Sequence, residues 1–213
     1  LPEVLAVQYS CWVDLLHSAT SPKWAPLCLQ DLDAVLCDHA HCEKKAAVAA
    51  LSLLNSYPQH DQLVRQAASL AQEELRHFRQ VHRFIVARKL VLPHDTGDAY
   101  VNALRKQLRH ARAEHFMDRL LVAALVEARS CERLQLLGEA LRDATQPPPG
   151  PEAPGELAKF YLGLAAREAG HARLFIRLAQ RYLPPAAVQE RLQELLSLEA
   201  QVVADLPLLP RIH

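Results

Sequence analysis

Two short segments of the chain combine a carboxylate and an imidazole three residues apart: Glu74-Leu75-Arg76-His77 and Glu168-Ala169-Gly170-His171. On an α-helix that spacing puts both side chains on one face, within reach of one metal ion. The pattern alone is weak, because a chain of this Glu and His content yields about 0.7 such pairs by chance. The setting makes it stronger. The stripe Leu63, Ala67, Leu70, Glu74, His77, Val81, Phe84 and the stripe Leu157, Tyr161, Leu164, Glu168, His171, Phe175, Leu178 each carry the pair among apolar residues at helical period. Two further carboxylates sit in equally apolar surroundings. Glu43 lies on the stripe Ala40, Ala47, Ala50, Leu54, and Glu127 follows the run Leu120 to Val126. A buried carboxylate without a partner costs several kcal/mol or takes up a proton, so four at one level of a helical bundle call for cations.

These residues need four long helices to position them. The hydrophobic period predicts helices over roughly 29–57, 61–89, 114–142 and 156–182, with a polar helical stretch from Asp98 to about His110 and a last helix from Pro184-Pro185 to about Ala204. Pro58 ends the first helix and allows only a tight return, so the first two form an antiparallel hairpin. Glu43 and Glu74 then stand about 14 residues either side of that turn, at equal height. Glu127 and Glu168 are 41 apart, against 31 for the first pair, and the Pro-rich segment from Gln146 to Gly155 accounts for the difference. Glu132 competes with Glu127, but five residues rotate a side chain by about 140°, so both cannot face the centre. The stronger apolar flank favours Glu127. Two helical hairpins joined by a long crossover, with additional terminal helices, define an all-α, ferritin-like four-helix bundle, expected here as a single domain over 1–213.

The composition agrees with this reading. Six glycines in 213 residues are few for a barrel, a sandwich or a nucleotide-binding α/β fold, while half of the chain is hydrophobic. Five cysteines with no C-x-x-C pair suggest neither a disulfide framework nor a structural zinc, which points to a reducing cytoplasm. No apolar run is long enough to span a membrane. Lys plus Arg and Asp plus Glu both number 24, which argues against a protein that coats nucleic acid through general basicity.

Four carboxylates balance two divalent ions, and two imidazoles supply one nitrogen to each. Such an oxygen-rich set suits iron or manganese better than zinc. Glu43, Glu74 and His77 form one expected half-site and Glu127, Glu168 and His171 the other, with Glu74 and Glu168 as bridges. The expected metal ligands are therefore Glu43, Glu74, His77, Glu127, Glu168 and His171.

Three strings carry a resemblance to a known family. They are Asp38-His39-Ala40-His41-Cys42-Glu43-Lys44-Lys45-Ala46-Ala47; Glu73-Glu74-Leu75-Arg76-His77-Phe78 with Val81 after it; and Met117-Asp118-Arg119-Leu120-Leu121-Val122 running on to Glu127-Ala128-Arg129-Ser130-Cys131-Glu132-Arg133. From about Trp24 to Leu183 the chain resembles the tRNA-(2-methylthio-N6-isopentenyladenosine37) hydroxylases, the MiaE family. It departs from that pattern in the Pro-rich insertion and at Gly170, where the family pattern has Arg. The resemblance implies a non-haem di-iron monooxygenase that uses O2 to hydroxylate the isopentenyl group of a modified adenosine beside the anticodon. It also implies tRNA as substrate, and a separate reductase or ferredoxin-type electron donor, because no flavin or nicotinamide fingerprint is present. For phosphate contacts, residues 101–119 offer Arg105, Lys106, Arg109, Arg112 and Arg119 against Glu114 and Asp118. Two rival classes remain open at this stage: a ferritin-like iron oxidase without an organic substrate, and a metal-free helical interaction module.

Overall fold

In the computed structural model residues 15–146 and 148–213 are described. Among them the elements are helices, in the order α1 (Trp24–Gln30), α2 (Leu32–Ser56), α3 (Asp61–Ala87), α4 (Ala99–Arg105), α5 (Arg112–Asp143), α6 (Glu156–Tyr182) and α7 (Pro185–Asp205). The helices α2 and α3 form one hairpin, α5 and α6 the other, and α4 lies in the crossover between them. Tyr57 and Pro58 close the first hairpin, with the Tyr57 amide capping Leu53 O.

The predicted first helix is divided. Asp31 leaves helical geometry and its carboxylate accepts from the Ala34 amide, so it caps a new helix and separates α1 from α2. The polar stretch after Asp98 is helical only to Arg105. Beyond it the backbone is held by a side chain, since Arg109 N donates to Asp118 of α5. The Pro-rich segment has an anchor too: Glu152 takes a bidentate contact from Arg88, at 2.7 and 2.8 Å, and Arg88 also reaches Asp33.

Two apolar clusters form the core, one above and one below the level of the acidic residues. One gathers Leu63, Leu70, Leu121, Leu125, Phe175 and Leu178 with Leu192 and Leu195 of α7. The other gathers Trp24, Val35, Leu36, Ile85, Leu134, Leu137 and Tyr161. The two hairpins are thus fixed at both ends, which holds the polar layer between them in place. The chain after α7 turns back over the bundle. Trp24 Nε1 donates to Arg211 O, Ile212 N donates to Asp38, and Arg133 donates to Ile212 O, so Ile212 is buried and His213 reaches the wall of the interior cavity.

Candidate metal centre

All six residues expected as ligands converge between the hairpins. Glu43 comes from α2, Glu74 and His77 from α3, Glu127 from α5, and Glu168 and His171 from α6. Each is at least nine-tenths buried. Ligand atoms of Glu43, Glu74, His77 and Glu168 lie within 4.8 Å of one another, and so do those of Glu74, Glu127, Glu168 and His171. Glu74 and Glu168 are common to both sets. Glu132 is turned elsewhere: it accepts from the Thr20 amide and hydroxyl and pairs with Arg129.

The centre is crowded with negative charge that the protein only partly offsets. His77 Nδ1 stands 3.4 to 3.5 Å from Glu43, Glu74 and Glu168 alike. His171 Nδ1 donates to Glu168 at 2.9 Å and lies 2.9 Å from Glu74. Burial pushes the Glu74 carboxyl up to about 7 against the pull of the neighbouring His171 and His77 imidazoles. Burial, and then the charges of Glu168 and Glu74, push Glu127 well above the usual carboxylate range. Burial would depress both imidazoles, but the carboxylates crowded against them outweigh it and hold His77 up at about 11 and His171 at about 12.

Three buried atoms that face this centre, Glu74 Oε1, Glu168 Oε1 and His77 Nδ1, make no hydrogen bond. Buried polar atoms are ordinarily paired, so such a group is a donor set suited to cations. Its chemistry is that of hard carboxylate oxygen with one nitrogen per half, which fits iron or manganese. Metal uptake must displace the protons that the carboxylates hold on the two imidazoles. Loading the metal-free protein in weak buffer is therefore expected to release protons, those of His77 and His171 among them. Because these pKa values are raised, the apparent affinity rises with pH across the neutral range, and a pH-stat titration reads both effects.

Sequence reasoning did not single out several neighbours of this centre. His39 donates through Nε2 to Glu43 at 2.7 Å, and burial lowers its pKa to about 4, so it orients Glu43 as a neutral ring. Its position four residues before Glu43 on one helix was the available signal. Glu73 lies 3.8 Å from His77 Nε2 and 3.3 Å from His171 Nε2, on the outer side of both rings. Cys42, Asp98 and His213 form a third compact group within 4.8 Å. It is a different kind of cluster, because Lys45 lies 3.4 Å from Asp98 and the α4 amide of Val101 binds the same carboxylate, so its charge is balanced by protein groups. Gly170 has open space where a Cβ would point, so the arginine of the family pattern would stand clear of the ligands.

A cavity of about 630 Å³ begins at Glu43, Glu74, Glu127 and Glu168 and opens between α2, α4 and α5. Its walls are largely apolar, with Leu53, Val101, Val122, Ala123, Val126 and Phe175 among them, and Lys44, Lys45, Arg105 and Arg119 also line it. Of the basic residues expected to meet phosphate, Arg105 is on this cavity, while Lys106 and Arg112 are exposed away from it. Arg109 is already engaged. Its guanidinium binds Asp118 at 2.8 and 3.0 Å and Glu114 at 3.2 Å.

The two-hairpin bundle with a buried Glu and His layer is of the ferritin-like class. A solved structure titled protein 43 with aldehyde deformylating oxygenase activity, from Synechococcus, superposes with a TM-score of 0.82 at 34% identity, over 93% of this chain and 95% of that one. Within that class the chain belongs to the MiaE family, tRNA-(MS[2]IO[6]A)-hydroxylase, whose model matches residues 8–213. Two curated proteins named tRNA 2-(methylsulfanyl)-N(6)-isopentenyladenosine(37) hydroxylase are similar to it. The one from Pseudomonas putida is 36% identical over 78% of this chain and 76% of its own length. The one from Salmonella typhimurium is 28% identical over 79% and 76%.

Proposed function

We infer that this protein is a tRNA hydroxylase that inserts one oxygen atom of O2 into the isopentenyl group of 2-methylthio-N6-isopentenyladenosine at position 37, with iron held by Glu43, Glu74, His77, Glu127, Glu168 and His171. The observation that carries this reading is the cavity, which joins the acidic layer to a basic rim through apolar walls. Its dimensions and lining suit a prenyl tail. Val122, Ala123 and Val126 exclude water along the path, and Lys44, Lys45, Arg105 and Arg119 stand where the phosphates of an anticodon loop would arrive. Arg119 is held for that task, donating to Ser52 and Ser56 at 2.9 and 3.0 Å while lying over the Tyr57 ring. The bound iron pair supplies O2 activation and C–H oxidation. Two electrons and two protons per turnover come from outside, which requires a separate donor protein. A tRNA substrate places the reaction in the cytoplasm, and among the described residues no helix is long and apolar enough to cross a membrane.

The reduced, iron-loaded protein incubated with O2 and prenylated tRNA is expected to add the mass of one oxygen atom to the modified nucleoside. No such product under reducing conditions overturns the reading. The cavity makes a second prediction. Ala123→Phe places a ring in the prenyl path, and it lowers kcat/KM by about tenfold or more with iron content unchanged, as compared in nucleoside digests and metal analysis.

A further inference from the structure

The side of the bundle away from the cavity carries a concentration of charge that the tRNA reading does not use. Of α3 only Glu74, and of α6 only Glu168 and Phe175, touch the cavity. The outward positions of these two helices hold Arg76, Arg79 and Arg83 on α3 and Arg167, Arg177 and Arg181 on α6, all exposed. None of the six has an ion-pair partner among the described residues. The helices are neighbours here, as the Phe84 to Phe160 ring contact at 5.1 Å and the His77 to Glu168 contact at 3.4 Å require. In a chain whose charges sum to zero, six uncompensated arginines on one face are a strong local excess.

On this face a part-exposed carboxylate covers the two imidazoles of the layer. His77 and His171 turn their Nδ1 atoms inward to the carboxylates and their Nε2 atoms outward to Glu73. Glu73 approaches both rings at Nε2, on the side away from Glu74 and Glu168, and it is 30% exposed. From solvent to the imidazoles the path is thus one carboxylate long. Arg76 follows Glu73 by three residues on its helix, and Arg167 precedes Glu168 on the facing one.

We propose that the α3 and α6 face, centred on Glu73 between Arg76 and Arg167, docks an acidic iron–sulfur electron carrier of the ferredoxin kind and delivers electrons through His77 and His171. The proposal rests on the di-iron hydroxylase reading above. Charge complementarity chooses the partner: an acidic protein relieves the repulsion among the arginines and is steered to them at low salt. A tRNA bound here would have its modified base on the wrong side of the bundle from the cavity mouth. Each encounter oxidises one reduced iron–sulfur cluster by one electron and reduces one ferric ion to ferrous. Two encounters supply the pair of electrons that, with two protons, takes the second oxygen atom of O2 to water.

The test uses the full iron-loaded chain and a reduced plant-type [2Fe–2S] ferredoxin, without tRNA. Stopped-flow reduction of the wild type is expected to slow as salt is raised. In Arg76→Glu/Arg167→Glu the second-order rate falls about tenfold or more at low salt, while reduction by photoreduced deazariboflavin, a small uncharged mediator, and the affinity for tRNA stay as they were. Calorimetry with oxidised ferredoxin and metal-free protein shows the same loss of binding. An unchanged ferredoxin rate overturns the proposal. So does a matching loss of tRNA affinity, which would make the face a nucleic-acid surface. If the charge-reversed chain fails to fold or load iron, Arg76→Gln/Arg167→Gln carries the same expectation with a smaller effect. Because the readouts are reduction and binding, a chain that hydroxylates no tRNA would sink the functional reading and leave the docking result standing.

Discussion

Glu127→Gln is expected to change thermal stability with opposite signs in the metal-free and metal-loaded protein. Without metal, burial and the charges of Glu168 and Glu74 hold Glu127 well above the usual carboxylate range, which favours its neutral form. An amide of the same shape then costs nothing and removes the residual repulsion, so the Tm of the metal-free variant equals or exceeds that of the wild type. With metal the carboxylate is needed as an anion, and the amide is a poorer ligand. Saturation at a hundred times the dissociation constant contributes about 2.7 kcal/mol, and the variant forfeits much of that, so its loaded Tm drops. Glu74→Ala and His171→Ala go further, because Glu74 belongs to both groups of converging atoms. Iron should fall from about two per chain to well under one. Calorimetry of both states with metal analysis decides the point. A purely structural Glu127 would lower Tm in both states, and full iron retention in Glu74→Ala would show that the ligands are others. Glu132→Gln serves as the contrast, since its carboxylate is bonded to Arg129 and Thr20 and should leave iron content intact.

What the sequence made legible follows from period and register. Each of the long helices carries a continuous apolar stripe, and the turn at Pro58 fixes the relative height of Glu43 and Glu74, so the convergence of six residues could be anticipated from spacing. The division at Asp31 was less visible, because a capping aspartate reads like any polar residue within a helical run. The engagement of Arg109 was equally hidden, because its partner nine residues later, Asp118, is wholly buried and also takes Arg191 of α7. The basic face of α3 and α6 was hidden for another reason. Its arginines lie some 90 positions apart in sequence and meet only through the antiparallel packing of two hairpins. The return of Arg211 to His213 is held by contacts with residues far away in the chain, Trp24, Asp38, Ser130 and Arg133 among them, which no local pattern announces.

The largest stability effect should come from a residue that composition alone would place on the surface. Arg129 is entirely buried on α5 and binds two carboxylates, Glu199 of α7 through Nε and Nη2 at 2.9 Å and Glu132 through Nη1. It also donates to Ser18 O, and Tyr100 of α4 donates to the same Glu199. Burial disfavours its charge, yet the two carboxylates outweigh that and raise its pKa. One guanidinium therefore joins α5 to α7 and to the segment before α1, with Tyr100 of α4 tied in through Glu199. Arg129→Met keeps the volume but leaves Glu132 and Glu199 as buried anions, which costs about 3–5 kcal/mol. At roughly 2–4 °C per kcal/mol for a chain of this size, Tm should fall by about 10 °C. Adding Glu199→Gln and Glu132→Gln to Arg129→Met should restore part of the loss, because the penalty belongs to the stranded anions rather than to the missing bonds. Iron content below the new Tm should be unchanged, since Glu132 points away from the metal layer. If the single variant melts within a degree or two of the wild type, the carboxylates have found water or protons, and the network does not hold α7 to the bundle.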